Sequence, residues 1–115
     1  MIEMYGIPNC TTVKKAQSWL DERGIAYRFH DFKKDGVPVA RLDAWLAALG
    51  WEALLNRRGT TWRQLDEATR AAVVDAASAR ALMLARPSVI RRPVVEWGDG
   101  RITVGFDPDD WPLPR

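Results

Sequence analysis

The chain contains one cysteine, Cys10, in the run Met4-Tyr5-Gly6-Ile7-Pro8-Asn9-Cys10-Thr11-Thr12-Val13-Lys14-Lys15-Ala16. A thiol attacks only as its thiolate, so the question is whether this run favours the anion. Gly6 and Pro8 mark a turn, and beyond it Val13, Ala16 and Leu20 recur at helical spacing, with Gly24 as the stop. Cys10 therefore stands where the chain enters a helix. The first amides of a helix lack intrahelical acceptors and carry the positive end of its dipole, which stabilises an adjacent anion. The hydroxyls of Thr11 and Thr12 are donors for sulfur or for a bound oxyanion, and Lys14 and Lys15 add positive potential one turn in. The pattern predicts a reactive thiol. The competing reading, a small buried hydrophobe, has only the general habit of cysteine behind it.

A single cysteine cannot close a disulfide within the chain, which excludes an internal dithiol mechanism. Any redox cycle needs an outside thiol: glutathione, a glutaredoxin or a second chain. The 115 residues suffice for one domain with its own core, and 47% hydrophobic with 28% charged residues is the composition of an ordinary water-soluble protein. No apolar run reaches the length of a membrane span and no signal-peptide pattern opens the sequence, so a cytoplasmic protein with no membrane partner is expected. A formal charge of +2 gives no argument for nucleic acid.

The elements that must position Cys10 follow. Ile2, Met4 and Tyr5 read as a buried strand, and residues 26–32 alternate, with Tyr27, Phe29 and Asp31 on one side and Arg28, His30 and Phe32 on the other. Strand, helix and strand within about thirty residues make a right-handed βαβ unit with parallel strands. His30 is the only histidine, and in a strand it reads as a structural, hydrogen-bonded residue. Residues 33–38 read as a charged turn. Leu42, Trp45, Leu46 and Leu49 define one face of a helix ended by Gly50, and residues 51–55 give a further helical turn.

Residues 56–63, Asn-Arg-Arg-Gly-Thr-Thr-Trp-Arg, read as a polar, glycine-broken loop. An arginine doublet there is a solvated surface feature or, beside a thiolate, an oxyanion clamp built from planar guanidinium forks. Residues 66–86 read as two helical pieces, Val73 and Val74 in the first, Ala79, Leu82 and Met83 in the second, with Asp75 as N-cap and Pro87 as terminator. Residues 88–97 and 101–106 flank Gly98-Asp99-Gly100 and predict a β-hairpin. Proline at the mouth of such a strand points to a cis Arg92-Pro93 bond. Residues 107–115 hold too many prolines for a long helix.

Taken together, the run 5–16 around Cys10, the run Gly50-Trp51-Glu52-Ala53-Leu54-Leu55-Asn56-Arg57-Arg58-Gly59-Thr60-Thr61-Trp62 and the segment Arg91-Arg92-Pro93-Val94 resemble the arsenate reductase-like family. Within it the match is to the small YffB-type branch, beside the Spx-type regulators. The resemblance implies an α/β, thioredoxin-like fold: one domain over residues 1–115, a four-stranded mixed sheet, and a helical insertion at residues 38–86 between the second strand and the C-terminal hairpin. It implies Cys10 as nucleophile and glutathione or glutaredoxin as reductant, with no bound cofactor, no metal and glutathione as co-substrate. Thr11, Thr12, Lys14, Asn56, Arg57, Arg92 and Pro93 are the implied substrate- or anion-binding residues, and the cis proline is where the backbone of glutathione pairs in thioredoxin-type folds.

In the arsenate reductases proper three arginines hold the oxyanion. Only Arg92 matches one of those positions; Asn56 stands at the second, with Arg57 beside it, Gly105 at the third, and Gly6 at the position of a histidine. The leading expectation is accordingly a monothiol reductase acting on a mixed or protein disulfide. The alternatives are arsenate reduction with glutaredoxin, and a non-catalytic Spx-type regulator that binds RNA polymerase; Val13 stands where that class commonly carries the second cysteine of a Cys-x-x-Cys pair.

Overall fold

Alternation in the first strand and the 3.6-residue repeat in the first helix put one apolar face of each against the other. In the computed structural model, which describes residues 1–112, Ile2–Gly6 forms β1, Thr11–Glu22 forms α1 and Tyr27–Asp31 forms β2. Val13, Ala16 and Leu20 are the fully buried face of α1. Ala16 and Leu20 pack with Ile2 and Met4 of β1 and with Val95, Trp97 and Trp111 from the end of the chain. The helix closes with a Schellman arrangement: Ile25 N–H donates to Leu20 O at 3.0 Å, Gly24 N–H donates to Asp21 O at 3.1 Å, and Gly24 takes a φ of +64° that suits glycine.

β1 is central. β2 pairs with it in parallel, Met4 opposite Phe29, as the length of the crossover requires. Val94–Glu96 forms β3, antiparallel to β1 with Met4 opposite Val95, and Ile102–Val104 forms β4 on its far side. The order β2-β1-β3-β4 is the mixed four-stranded sheet expected of the family the sequence resembles. Trp111 stands edge-on to Trp19, Trp97 and Phe106, with ring centroids 5.3, 4.9 and 5.1 Å away, and so ties the chain's end to α1 and the hairpin. The last three positions of the proline-rich ending, 113–115, lie outside the described residues.

The chain divides into two compact units: Met1–Asp35 with the chain from Arg92 on, which holds the sheet, and Gly36–Arg91. The second is helical, with α3 at Val39–Leu49, α4 at Trp51–Leu54, α5 at Thr60–Gln64, α6 at Glu67–Ala71 and α7 at Ala76–Ala85. Leu42, Trp45, Leu54, Ala79 and Met83 are its fully buried apolar side chains, together with Val89 and Ile90. Asp75 caps α7 reciprocally with Ser78, as the sequence suggests. Among the described residues no helix is long and apolar enough to cross a membrane.

Four local expectations are corrected. Phe32–Asp35 is a helical turn, α2, not part of a strand and an open turn, because the Asp31 carboxylate accepts the Lys33 amide at 2.8 Å and starts it. Residues 60–63 belong to α5, which opens at Gly59 rather than continuing the loop. Val73 and Val74 lie between α6 and α7; Val74 is 71% exposed, its amide drawn to the Ser78 hydroxyl of the α7 cap. Residues 87–89 form a 3-10 turn and 90–93 stay outside the sheet, since this stretch spends its hydrogen bonds on 54–56: Asn56 N–H to Val89 O and Arg91 N–H to Leu54 O.

On the sheet, register places Arg28 opposite Glu3 and His30 opposite Tyr5. Glu3 accepts from Arg28 Nε and Nη2 at 2.9 and 2.8 Å and lies 2.7 Å from His30 Nε2, while the His30 ring stacks on Tyr5 at 4.4 Å. Burial pushes the Glu3 carboxyl up, but the hydrogen bonds and charges of Arg28 and His30 outweigh it and leave it below the usual glutamate value. A carboxyl held low when folded adds stability above its unfolded pKa, and that increment disappears as pH falls through the folded value. Glu3→Gln is therefore expected to lower the urea midpoint at about pH 7, and the gap to wild type is expected to close as pH is taken toward about 3. Parallel curves across that range would show that the cluster carries no linked stability.

Candidate functional site

β1 runs out at Gly6, and four residues later Cys10 takes the N-cap position of α1 with φ −142° and ψ 124°. Its carbonyl already accepts the first helical hydrogen bond, from Lys14 N–H at 2.9 Å. At an N-cap the side chain faces the amides of the second and third helical residues, here Thr12 and Val13. A capping serine or aspartate would accept from them. The neutral Cys10 thiol makes no cap bond, and it is the thiolate that these two amides favour.

The second side of the site comes from the hairpin. The pairing of Tyr5 with Val94 brings the residues just before β3 beside the end of β1. The Arg92-Pro93 bond is cis, as the sequence predicts, and Pro93 is buried with its carbonyl accepting Gly105 N–H at 2.9 Å. Arg92 Cβ lies 3.8 Å from the place a Cβ on Gly6 would occupy, and Val13 Cγ2 lies 2.9 Å from it. Gly6 thus lets Val13 and Arg92 approach the strand end together. Real side chains do not sit at 2.9 Å, and Val13 is fully buried, so its contact leaves no easy retreat.

These placements set the electrostatics. Burial of the half-buried Cys10 thiol pushes its pKa up. Against that, the Val13 amide, the Arg92 guanidinium by hydrogen bond and by charge, and the Thr12 amide favour the thiolate, and the net result lies below the ordinary cysteine value. More of the sulfur is therefore ionised near neutrality than in a free cysteine, which is the condition for nucleophilic attack. Among the described residues no cluster of histidine, cysteine, aspartate and glutamate can hold a metal ion.

Of the residues expected at the site, Cys10, Thr12, Arg92 and Pro93 come together in the first unit. Thr12 acts through its backbone amide. Thr11 and Lys14 are exposed on the first turn of α1. Val13 joins the site through its amide: its place three residues after a capping cysteine makes that amide an anion donor, which the apolar repeat of α1 does not announce. Asn56 and Arg57 belong to the second unit. Asn56 Oδ1 accepts the Arg58 amide at 3.1 Å, so this oxygen shapes its own loop. The exposed Arg57 guanidinium lies 5.4 Å from the Trp51 ring and 6.0 Å from the Trp62 ring, a cation held between two indoles. His30 stands in the Glu3 cluster on the sheet.

Known proteins resemble this chain in sequence and fold. A Haemophilus influenzae protein is 38% identical over 111 residues, 96% of either chain. The solved structure of a YFFB protein superposes with a TM-score of 0.88 at 52% identity, over 95% of this chain and 94% of its own. The solution structure of an arsenate reductase (ArsC) related protein from Brucella melitensis superposes with a TM-score of 0.75 at 55% identity, over 94% and 88%. The model of the ArsC family matches residues 5–112, from the strand that leads to Cys10 to the end of the described chain, and the protein is a member of that family.

Proposed function

We propose that the protein is a glutathione- or glutaredoxin-linked monothiol reductase in which Cys10 is the nucleophile. The observation that carries this reading is the placement of the sulfur at the N-cap of α1 with Arg92 beside it, which favours the thiolate. The Cys10 thiolate attacks one sulfur of a mixed disulfide. A new S–S bond forms to Cys10, the old one breaks, and its electron pair leaves on the substrate's other sulfur as a thiolate. With glutathione on Cys10, a second glutathione thiolate attacks the adduct, releasing oxidised glutathione and regenerating the Cys10 thiolate. Every step is a two-electron exchange and needs no cysteine beyond Cys10.

Arsenate fits this site less well, and the reason is the backbone. A multiply charged oxyanion calls for several converging charged donors. Gly105, at the position of one family arginine, holds φ +84°, where any side chain is strained, and it donates its amide to Pro93. Gly6, at the position of the family histidine, has no room for a Cβ. Both positions are built around glycine, so the arsenate set cannot be restored by side chain alone.

The rate of Cys10 alkylation against pH is expected to show a midpoint below that of a free cysteine measured alongside, and exposure to oxidised glutathione to give a single adduct by intact mass. Arg92→Met is expected to move that midpoint up and Arg92→Lys to restore part of the shift, since the charge returns without the planar fork. An ordinary midpoint with no adduct would overturn the reading. With arsenate and a competent glutaredoxin, thiol consumption is expected to stay at background. Gly105→Arg is expected to cost about 1–2 kcal/mol of stability from its left-handed backbone without creating arsenate turnover, as read by urea denaturation and the same assay.

A further inference from the structure

The outer face of α1 carries a groove of about 400 Å³ that begins at the residue after Cys10. Thr11, Lys14, Ser18 and Glu22 form one stripe of it at spacings of three and four, Lys15 and Trp19 a second, and Phe106 closes the side. The aromatic wall is firm, because Trp19 and Phe106 both stand edge-on to the buried Trp111. Lys14 and Lys15 are exposed, and among the described residues neither is ion-paired. The groove thus offers positive charge on the first turn of α1 and an apolar slot farther along.

Its length identifies the kind of occupant. From Thr11 to Glu22 the helix rises about 16 Å at 1.5 Å per residue. A tripeptide such as glutathione reaches roughly 10 Å when extended, whereas about five residues of extended chain cover the whole groove. We infer that this groove receives the polypeptide flanking the cysteine of a protein disulfide, with an acidic residue at the lysines and an apolar one between Trp19 and Phe106. The inference rests on the monothiol reading above and names its substrate class. Helix rise against strand rise sets the spacing: the lysines lie about 6–8 Å along the helix from Cys10 and Trp19 about 13 Å. The acidic residue therefore falls roughly two positions from the substrate cysteine and the apolar one roughly four.

The test uses nonapeptides with a central cysteine joined as a disulfide to thionitrobenzoate, bearing Glu two positions and Leu four positions away on both sides. Attack by Cys10 on the peptide sulfur forms the mixed disulfide and releases the coloured thionitrobenzoate anion. Glutathione joined to the same leaving group serves as the reference for thiol reactivity. At low salt the Glu/Leu peptide is expected to react about fivefold faster than its Glu-to-Lys counterpart, the ratio shrinking as salt is raised. Replacing its leucines by serine is expected to slow it about threefold or more. Lys15→Glu is expected to abolish or reverse the Glu-over-Lys preference once each rate is divided by that of the glutathione disulfide. Equal rates for all peptides, or a preference untouched by Lys15→Glu, would overturn the groove assignment while leaving the reactive thiol standing. No colour from any probe, glutathione included, would overturn the monothiol reading and this proposal with it.

Discussion

The attraction between an anionic sulfur and the mouth of α1 is the interaction on which the site depends. It exists because β1 ends at Gly6 and three further residues place Cys10 at the N-cap, so that the Thr12 and Val13 amides have no better acceptor. Arg92 adds the second donor from an element remote in sequence, delivered by the antiparallel pairing of β3 with β1. The two halves meet over Gly6, where Val13 and Arg92 would both crowd a side chain. Packing and electrostatics are joined at one residue: Val13 fills the core with its side chain and addresses the sulfur with its amide.

Much of this was legible in the sequence. The helix start at Cys10 was legible because a turn followed by a helical repeat locates one, whereas Thr12 drew notice for its hydroxyl and it is its amide that favours the thiolate. The parallel crossover, the hairpin and the cis proline followed from element length and punctuation. What escaped was decided by local hydrogen bonds that compete with pattern. Asp31 starts a helical turn where alternation promised strand, and the Asp75–Ser78 cap takes Val73 and Val74 out of their helix. The 88–92 stretch looked like strand because it is β-branched and basic, yet its backbone partners are 54–56. The pairing of Arg57 with Trp51 and Trp62 was visible only as a flanking of arginine by tryptophan.

On the monothiol reading proposed above, the glycines weigh against an oxyanion site more heavily than a comparison of side chains does. The arginine position at Gly105 is held at φ +84° and the histidine position at Gly6 is packed against Val13, so neither takes a side chain without moving backbone. Gly6, which leaves no room for a side chain, is also the point where Val13 and Arg92 approach the strand end.

That leaves a thiol pulled in two directions, and the opposition suits exchange chemistry. Donors that lower a thiol's pKa increase the thiolate fraction but weaken its intrinsic nucleophilicity, so an attacking sulfur works best when its pKa lies near the ambient pH. A low pKa also makes the same sulfur a better leaving group when the adduct is resolved. At Cys10 the burial that raises the pKa opposes the amides and the guanidinium that lower it. A fully exposed sulfur with the same donors would lose the opposing push, and a fully buried one would lose access to a disulfide. The half-buried position at the helix mouth serves attack and release with one residue, which is what a chain with a single cysteine requires.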